Sequence, residues 1–300
     1  MKNAVRGVRS IELEMNDVPL AASFFTRIWH LRESATVHGS IYLRGTGPYH
    51  HVLALHAGQA ETAVRRVVFD ARDRNAVDAF HRQISSHVQE CGAPGAFDAA
   101  GGGYGFDFVD PEGRCLGIVC DVTDHADGDD AKDQPRKIAH VNFNAIDVGK
   151  TNAFLMESLG FSLIDQSGPL SFLHCDNCDH SSVVVCGASR ATINHIAFEL
   201  PDLESVMRGA GRMRDAGYPI EWGPGRHGAG NNVFAYFAGP EEIPLEYTSD
   251  VLQVDDSYVP HRPEHWKWPP GRMDQWGISA PHTPRWKRIQ DMLSFRRQTV

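Results

Sequence analysis

The chain has 300 residues, 42% hydrophobic and 22% charged, a composition that excludes a disordered chain, a collagen and a coiled-coil rod. Its formal charge of -9 repels phosphate backbones and speaks against nucleic acid as a partner, and no apolar run approaches the roughly 18 residues a membrane helix needs. The opening MKNAVRGVRSIELEMNDV has no apolar leader, and six cysteines make no disulfide framework, so the expected compartment is the cytoplasm.

The first predicted element is an alternating strand from Arg9, followed by Asp17-Val18 and an amphipathic helix ending near Leu31. Phe24, Phe25 and Trp29 on that helix read as core. His50-His51 in GPYHHVLALH alternates into a strand with one face toward the interior of the first half. A strand from Val64 leads to a helix predicted over 71–90, capped by Asp70, with Val77, Phe80 and Ile84 on one face. GFDFVDPEGRCLGIVCD, from Gly105, closes this half, and the polar, acidic stretch 121–135 reads as a linker.

The same grammar then returns. A strand from Ala139 meets Asp147-Val148 and a helix ending near Phe161; INHIAFEL precedes a helix predicted over 202–216. Asp17 and Asp147 lie 130 apart, while Phe69 and Phe198, like Pro111 and Pro240, lie 129 apart, so three blocks repeat in one order at nearly one offset. The predicted fold is α+β: four βαβββ modules paired into two barrel-like domains. The expected boundaries are 1–120, the linker 121–135, 136–250, and a tail 251–300. That tail holds four of six Trp and six of seventeen Pro, so it is too apolar to hang free; it is expected to pack on the second barrel, as a lid, a subunit contact or exterior cover.

Laying one half over the other separates them chemically. His140, His195 and Glu246 occupy matched positions in the second half, where the first half has Ser10, Arg66 and Gly117. Two imidazoles and one carboxylate are a ligand set for a divalent metal of the iron type, leaving other coordination positions open. One metal centre, in the second half, is therefore expected. A second cluster, His174, Cys175, Cys178 and His180, contains a C-x-x-C pair without a second pair at zinc spacing.

From about Val5 to Asp250 the chain resembles the vicinal oxygen chelate superfamily, and within it the type I extradiol catechol dioxygenases. The stretch GRHGAGNNVFAYFAGPEEIPLEY, 225–247, is similar to the family signature through His227, Tyr236, Pro240 and Glu246. It departs from the signature at Ala235, Gly239 and Glu242. SFLHCDNCDHSSVVV, 171–185, is similar to the strand pair that carries the family's acid-base, which falls on His180, with Asp179 where a His is usual. The resemblance implies a vicinal oxygen chelate fold, Fe(II) or Mn(II) on His140, His195 and Glu246, and catalytic roles for His180, His227 and Tyr236. It further implies a homo-oligomer that inserts both atoms of O2 into a catechol-type diol, giving a muconic semialdehyde-type product in aromatic degradation. The alternatives are a 2-oxo-acid-type iron dioxygenase and a non-catalytic small-molecule-binding module. A glyoxalase-like isomerase would draw ligands from two paired halves, against which Ser10, Arg66 and Gly117 stand.

Overall fold

A computed structural model of the chain describes residues 4–58, 61–126 and 131–296. Part of the expected linker, residues 127–130, lies outside the described residues. The first module runs β1 (Gly7–Met15), α1 (Val18–Arg27), β2 (Arg32–Val37), β3 (Ser40–Arg44) and β4 (Leu53–Ala57). The second is β5 (Ala63–Asp70), α2 (Arg74–Ile84), β6 (Gly95–Ala96), β7 (Tyr104–Val109) and β8 (Cys115–Cys120). The third is β9 (Ile138–Ala145), α3 (Val148–Ser158), β10 (Ser162–Ser167), β11 (Leu170–His174) and β12 (Val183–Gly187). The fourth is β13 (Thr192–Glu199), α4 (Leu203–Asp215), β14 (Ile220–Arg226), β15 (Val233–Ala238) and β16 (Pro244–Ser249). Modules one and two make a sheet of order β2-β3-β4-β1-β5-β8-β7-β6, and modules three and four repeat it as β10-β11-β12-β9-β13-β16-β15-β14.

Each of the four main helices starts on an aspartate whose carboxylate accepts from a backbone N–H three residues on: Asp17 from Leu20, Asp73 from Ala76, Asp147 from Lys150 and Asp202 from Ser205. Such a cap is worth about 1 kcal/mol. The predicted start of the second helix is corrected: Asp73 caps it, while Asp70 pairs with Arg6 and Arg9, and the helix ends at Ile84 rather than 90. α1 and α3 likewise stop at Arg27 and Ser158, short of the predicted Leu31 and Phe161. His50 and His51 are also corrected; they sit in a bend before β4 and hydrogen-bond each other, their ring nitrogens 3.1 Å apart.

Alternation along the central strands decides where each side chain goes. Ile11, Leu13, Val141, Phe143, Ile196 and Phe198 face the shared hydrophobic core, together with Phe24, Phe25, Trp29 and Phe154. Ser10, Glu12, His140, Asn142 and His195 lie on the opposite, concave side, buried but outside that core. The halves share the core: the Trp29 indole stacks on Tyr247 at 3.7 Å between centroids, and the Tyr247 hydroxyl donates to the Trp29 carbonyl at 3.1 Å. Gly209 permits this approach, since a Cβ there would stand 2.8 Å from the Tyr247 ring.

The tail is ordered against the second sheet. α5 (Pro284–Gln290) buries Trp286 and Ile289, and β17 (Leu293–Ser294) pairs with β13. Among the described residues no helix is long and apolar enough to cross a membrane.

Candidate metal centre and the cavity above it

β9, β13 and β16 are adjacent, with His140 and Glu246 both registered against Ala197 and His195 opposite Asn142. The concave face therefore gathers one side chain from each strand. His140 Nε2 and His195 Nε2 are 3.2 Å apart, and Glu246 Oε2 lies 3.4 and 3.1 Å from them. Metal–ligand bonds of about 2.1 Å at right angles would separate neighbouring ligands by about 3.0 Å, so the three atoms fit one face of an octahedron. Glu246 Oε2 is fully buried and accepts no hydrogen bond, an orphan that a cation would satisfy. Among the described residues this is the one cluster of His, Cys, Asp and Glu ligand atoms so disposed.

The surrounding groups prepare the donors. His195 Nδ1 lies 2.9 Å from the side-chain oxygen Asn194 Oδ1, which also accepts from Gln290 Nε2 at 2.8 Å. An Nδ1–H donated there leaves the Nε2 lone pair aimed at the centre. Burial lowers the His195 pKa, against the pull of Glu246. Burial alone would raise the Glu246 carboxyl, but the adjacent His140 and His195 imidazoles hold it well below the usual carboxylate range. His195 and Glu246 are thus shifted toward their metal-binding forms, the neutral imidazole and the carboxylate.

His227 and Tyr236 meet on the cavity wall beside this centre. The Tyr236 hydroxyl lies 2.9 Å from His227 Nε2, and Tyr236 is registered opposite Glu246 on the next strand. Burial, reinforced by the Glu246 charge, raises the Tyr236 pKa well above its ordinary value, so the phenol keeps its proton. Burial pushes His227 down to about 4 despite the attraction of Glu246.

His180 takes a different position. It is wholly buried and does not line the cavity. Its Nε2 lies 2.7 Å from Asp165 Oδ2, and its Nδ1 has no hydrogen-bond partner. Asp165 is held by the Tyr258 hydroxyl at 2.8 Å and the His261 N–H at 2.7 Å. Although burial raises the Asp165 pKa, these bonds lower it overall, so a carboxylate orients the ring. The free Nδ1 faces Gly230, a cavity residue; a Cβ there would stand 3.5 Å from it. The C-x-x-C alternative does not assemble: Cys175 is buried and donates to Ser182 while Cys178 is exposed.

A cavity of about 380 Å³ opens from the His140–His195 side, walled by Phe172, Val184, Trp222, Trp268 and Met273. Sequence reasoning missed four polar groups there or beside it: Asn194, Asn232, His282 and Gln290. Asn232 donates to Thr248 Oγ1 at 2.7 Å and reaches Glu246 Oε1 at 3.4 Å. His282 stands edge-on to Trp222, 4.2 Å between centroids, with Nε2 unpartnered; burial lowers its pKa to about 4. Asn194 and Asn232 flank identified residues, a usable signal, whereas His282 and Gln290 come from a tail whose sequence has no period to read.

The matched centre of the first half is closed by charge. Arg66, at the position of His195, donates to Glu12 at 2.8 Å, to Asp107 at 2.6 Å and to the Asp98 carbonyl at 2.6 Å. A guanidinium stands there between carboxylates, and no ligand triad forms.

Residues 137–247 match the glyoxalase/bleomycin resistance protein/dioxygenase superfamily. Metapyrocatechase 2 of Cupriavidus necator is 31% identical over 155 residues, 49% of this chain and 46% of that protein, so the match spans just under half of that relative. The manganese-dependent 2,3-dihydroxybiphenyl 1,2-dioxygenase of Geobacillus genomosp. 3 is 24% identical over 72% of this chain and 76% of its own. The Mn(II)-bound glyoxalase from Novosphingobium aromaticivorans superposes with a TM-score of 0.86 at 30% identity, covering 95% of this chain and 94% of that one. Homoprotocatechuate 2,3-dioxygenase from Brevibacterium fuscum, in its substrate complex, has a TM-score of 0.82 at 21% identity over 96% and 92% of the two chains, a likeness of fold.

Proposed function

Because the chain belongs to the glyoxalase/bleomycin resistance protein/dioxygenase superfamily, we propose that it is an extradiol ring-cleaving dioxygenase acting on a catechol-type diol. The observation that carries this reading is the His140–His195–Glu246 face beside the His227–Tyr236 pair, at the foot of a small-molecule cavity. Fe(II) is the metal we assign to His140, His195 and Glu246, with Mn(II) accepted by the same donors. When bound, it supplies Lewis acidity that favours the ionised diol, and an electron path between diol and O2.

The protein's own groups do the rest. The concave walls hold the ring and exclude water. Tyr236 keeps its proton and His227 accepts or donates beside it, so the pair hydrogen-bonds oxygen atoms as charge builds on them. Asp165 fixes the His180 tautomer with Nδ1 as acceptor beside Gly230 of the cavity wall, and to this nitrogen we assign the taking and return of the diol proton. Both atoms of O2 enter the product, a muconic semialdehyde-type acid, in aromatic compound degradation. All six cysteines are free thiols, which supports a cytoplasmic setting, and a homo-oligomer is the proposed assembly.

The test is anaerobic loading with Fe(II), then catechol in air. Wild type should form a yellow ring-fission product and consume one O2 per catechol. His140→Ala, His195→Ala and Glu246→Ala should each lose metal and turnover together. Conversion of a hemithioacetal without catechol cleavage would replace this reading by the isomerase one.

A further inference from the structure

The ring-cleavage reading leaves the substituent on the diol open, and the cavity wall bears on it. Of the residues lining the cavity, none is Lys, Arg, Asp or Glu. Its polar groups are all uncharged: Asn142, Asn194, Asn232, His227 and Tyr236 toward the metal centre, with Ser167, Ser181, His282 and Gln290 also on the lining, His282 having its pKa lowered to about 4 by burial. The large apolar side chains of the wall are Phe172, Val184, Trp222, Val251, Trp268 and Met273. Adjacent arginines are engaged outside it. Arg226 donates to Asp250 at 2.8 Å and to the Asn231 carbonyl at 2.7 Å and lies over Trp276, and Arg272 donates to the Gly277 carbonyl at 3.0 Å. Arg262 donates to Gln166 at 2.7 Å.

Half of the apolar wall comes from the tail, which is fastened to the site. The Trp222 indole donates to the Ala280 carbonyl at 2.8 Å, and Ser279 Oγ donates to the Pro224 carbonyl at 3.0 Å. The Trp266 indole donates to the Gln166 carbonyl at 2.8 Å. Trp268 lies so close on Gly228 that a Cβ there would stand 2.2 Å from the ring. This wall is therefore a fixed surface rather than a loose flap, and its volume of about 380 Å³ exceeds what a bare catechol ring fills.

Resting on the ring-cleavage reading, we propose that the substrate is a catechol bearing an uncharged, apolar alkyl or aryl substituent, selected by the tail residues Trp268, Met273 and Val251. A carboxylate in this cavity would be desolvated with no cation to pair with, whereas an apolar group gains by burial.

The experiment compares four diols on the metal-loaded enzyme: catechol, 3-ethylcatechol, 3-phenylcatechol and 3,4-dihydroxyphenylacetate. Anaerobic affinity and kcat/KM are both measured. Affinity should rise about fourfold per buried methylene from catechol upward. It should fall by on the order of 10²-fold or more for the carboxylate relative to an apolar substituent of similar size. Trp268→Ala should cut kcat/KM for 3-phenylcatechol about tenfold more than for catechol. Equal or better use of the carboxylated diol would overturn the proposal, as would an equal effect of Trp268→Ala on both diols. If the ranking holds in anaerobic binding but no diol is cleaved, the ring-cleavage reading falls while the cavity's preference stands.

Discussion

Two histidines outside the ligand set, His180 and His282, differ in where their free nitrogen lies. His180 is oriented by Asp165 and has its spare Nδ1 under Gly230. His282 is on the cavity wall with Nε2 spare, but no carboxylate orients it. A base needs a defined tautomer, which only His180 has, so we assign the proton role to His180, behind Gly230 of the cavity wall. His180→Gln should keep metal and anaerobic catechol binding while kcat falls by roughly 10²–10⁴. Asp165→Asn should lower kcat in the same direction with His180 still present. His282→Ala should raise KM several-fold with kcat nearly unchanged. If kcat collapses in His282→Ala and survives in His180→Gln, the proton role moves to the tail. At this scale the sequence was informative where residues recur at fixed offsets. Tyr236 and Glu246 sit on the paired strands β15 and β16, so their spacing fixes their register, and His227 follows directly on β14. It was silent on Asp165 and Gln290, whose partners lie 15 and 96 positions away across loops.

Elements were legible in proportion to their periodicity. Alternating central strands and helices opened by Asp caps stand out in both halves, so the duplication and the module order could be read directly. The start of α2 was misread because Asp70 and Asp73 both suit a cap, and only the pairing of Asp70 with Arg6 and Arg9 removes it from that role. The tail resisted reading because it is held by individual hydrogen bonds and indole contacts, not by a repeating face. The central strands β1 and β5 make a prediction of their own. Glu12 on β1 is fully buried against Arg66 on β5 and His56 on β4. Burial alone raises its pKa, but bonds from His56 and the charge of Arg66 prevail and bring it to about 2, below the ordinary 4.5. A carboxyl whose pKa falls on folding stabilises the fold above the unfolded value and loses that contribution as pH drops toward the folded one. Stability should thus fall by on the order of 3 kcal/mol between about pH 4.5 and pH 2 from this group. Glu12→Gln should be less stable than wild type at pH 7, with Arg66 left short of a counter-charge, and the gap should narrow in acid. Denaturant midpoints at pH 7, 4.5 and 3 would read it; a gap that widens in acid contradicts the assignment.

The whole molecule is two copies of one architecture with opposite solutions for the polar concave face. In the first half an internal cation, the Arg66 guanidinium, neutralises Glu12 and Asp107. In the second, His140, His195 and Glu246 converge with Glu246 Oε2 unsatisfied, and we propose that the compensating cation is a bound metal. The second half should therefore depend on metal for stability and the first should not. Because the halves share one core through Trp29 and Tyr247, that dependence should move the unfolding of the entire chain rather than split it. Metal at a hundredfold excess over Kd adds about 2.7 kcal/mol, which for a chain of this size corresponds to a rise in Tm of about 4 °C. Calorimetry of the chelated protein and of protein with Fe(II) or Mn(II) added without oxygen would measure the rise. Glu246→Gln should abolish it, since the amide offers no anionic donor. Ser10→Ala should retain it in full, and metal should titrate to one equivalent per chain. Two equivalents, or a shift that survives Glu246→Gln, would mean that the first half also takes a cation and that Arg66 does not close it.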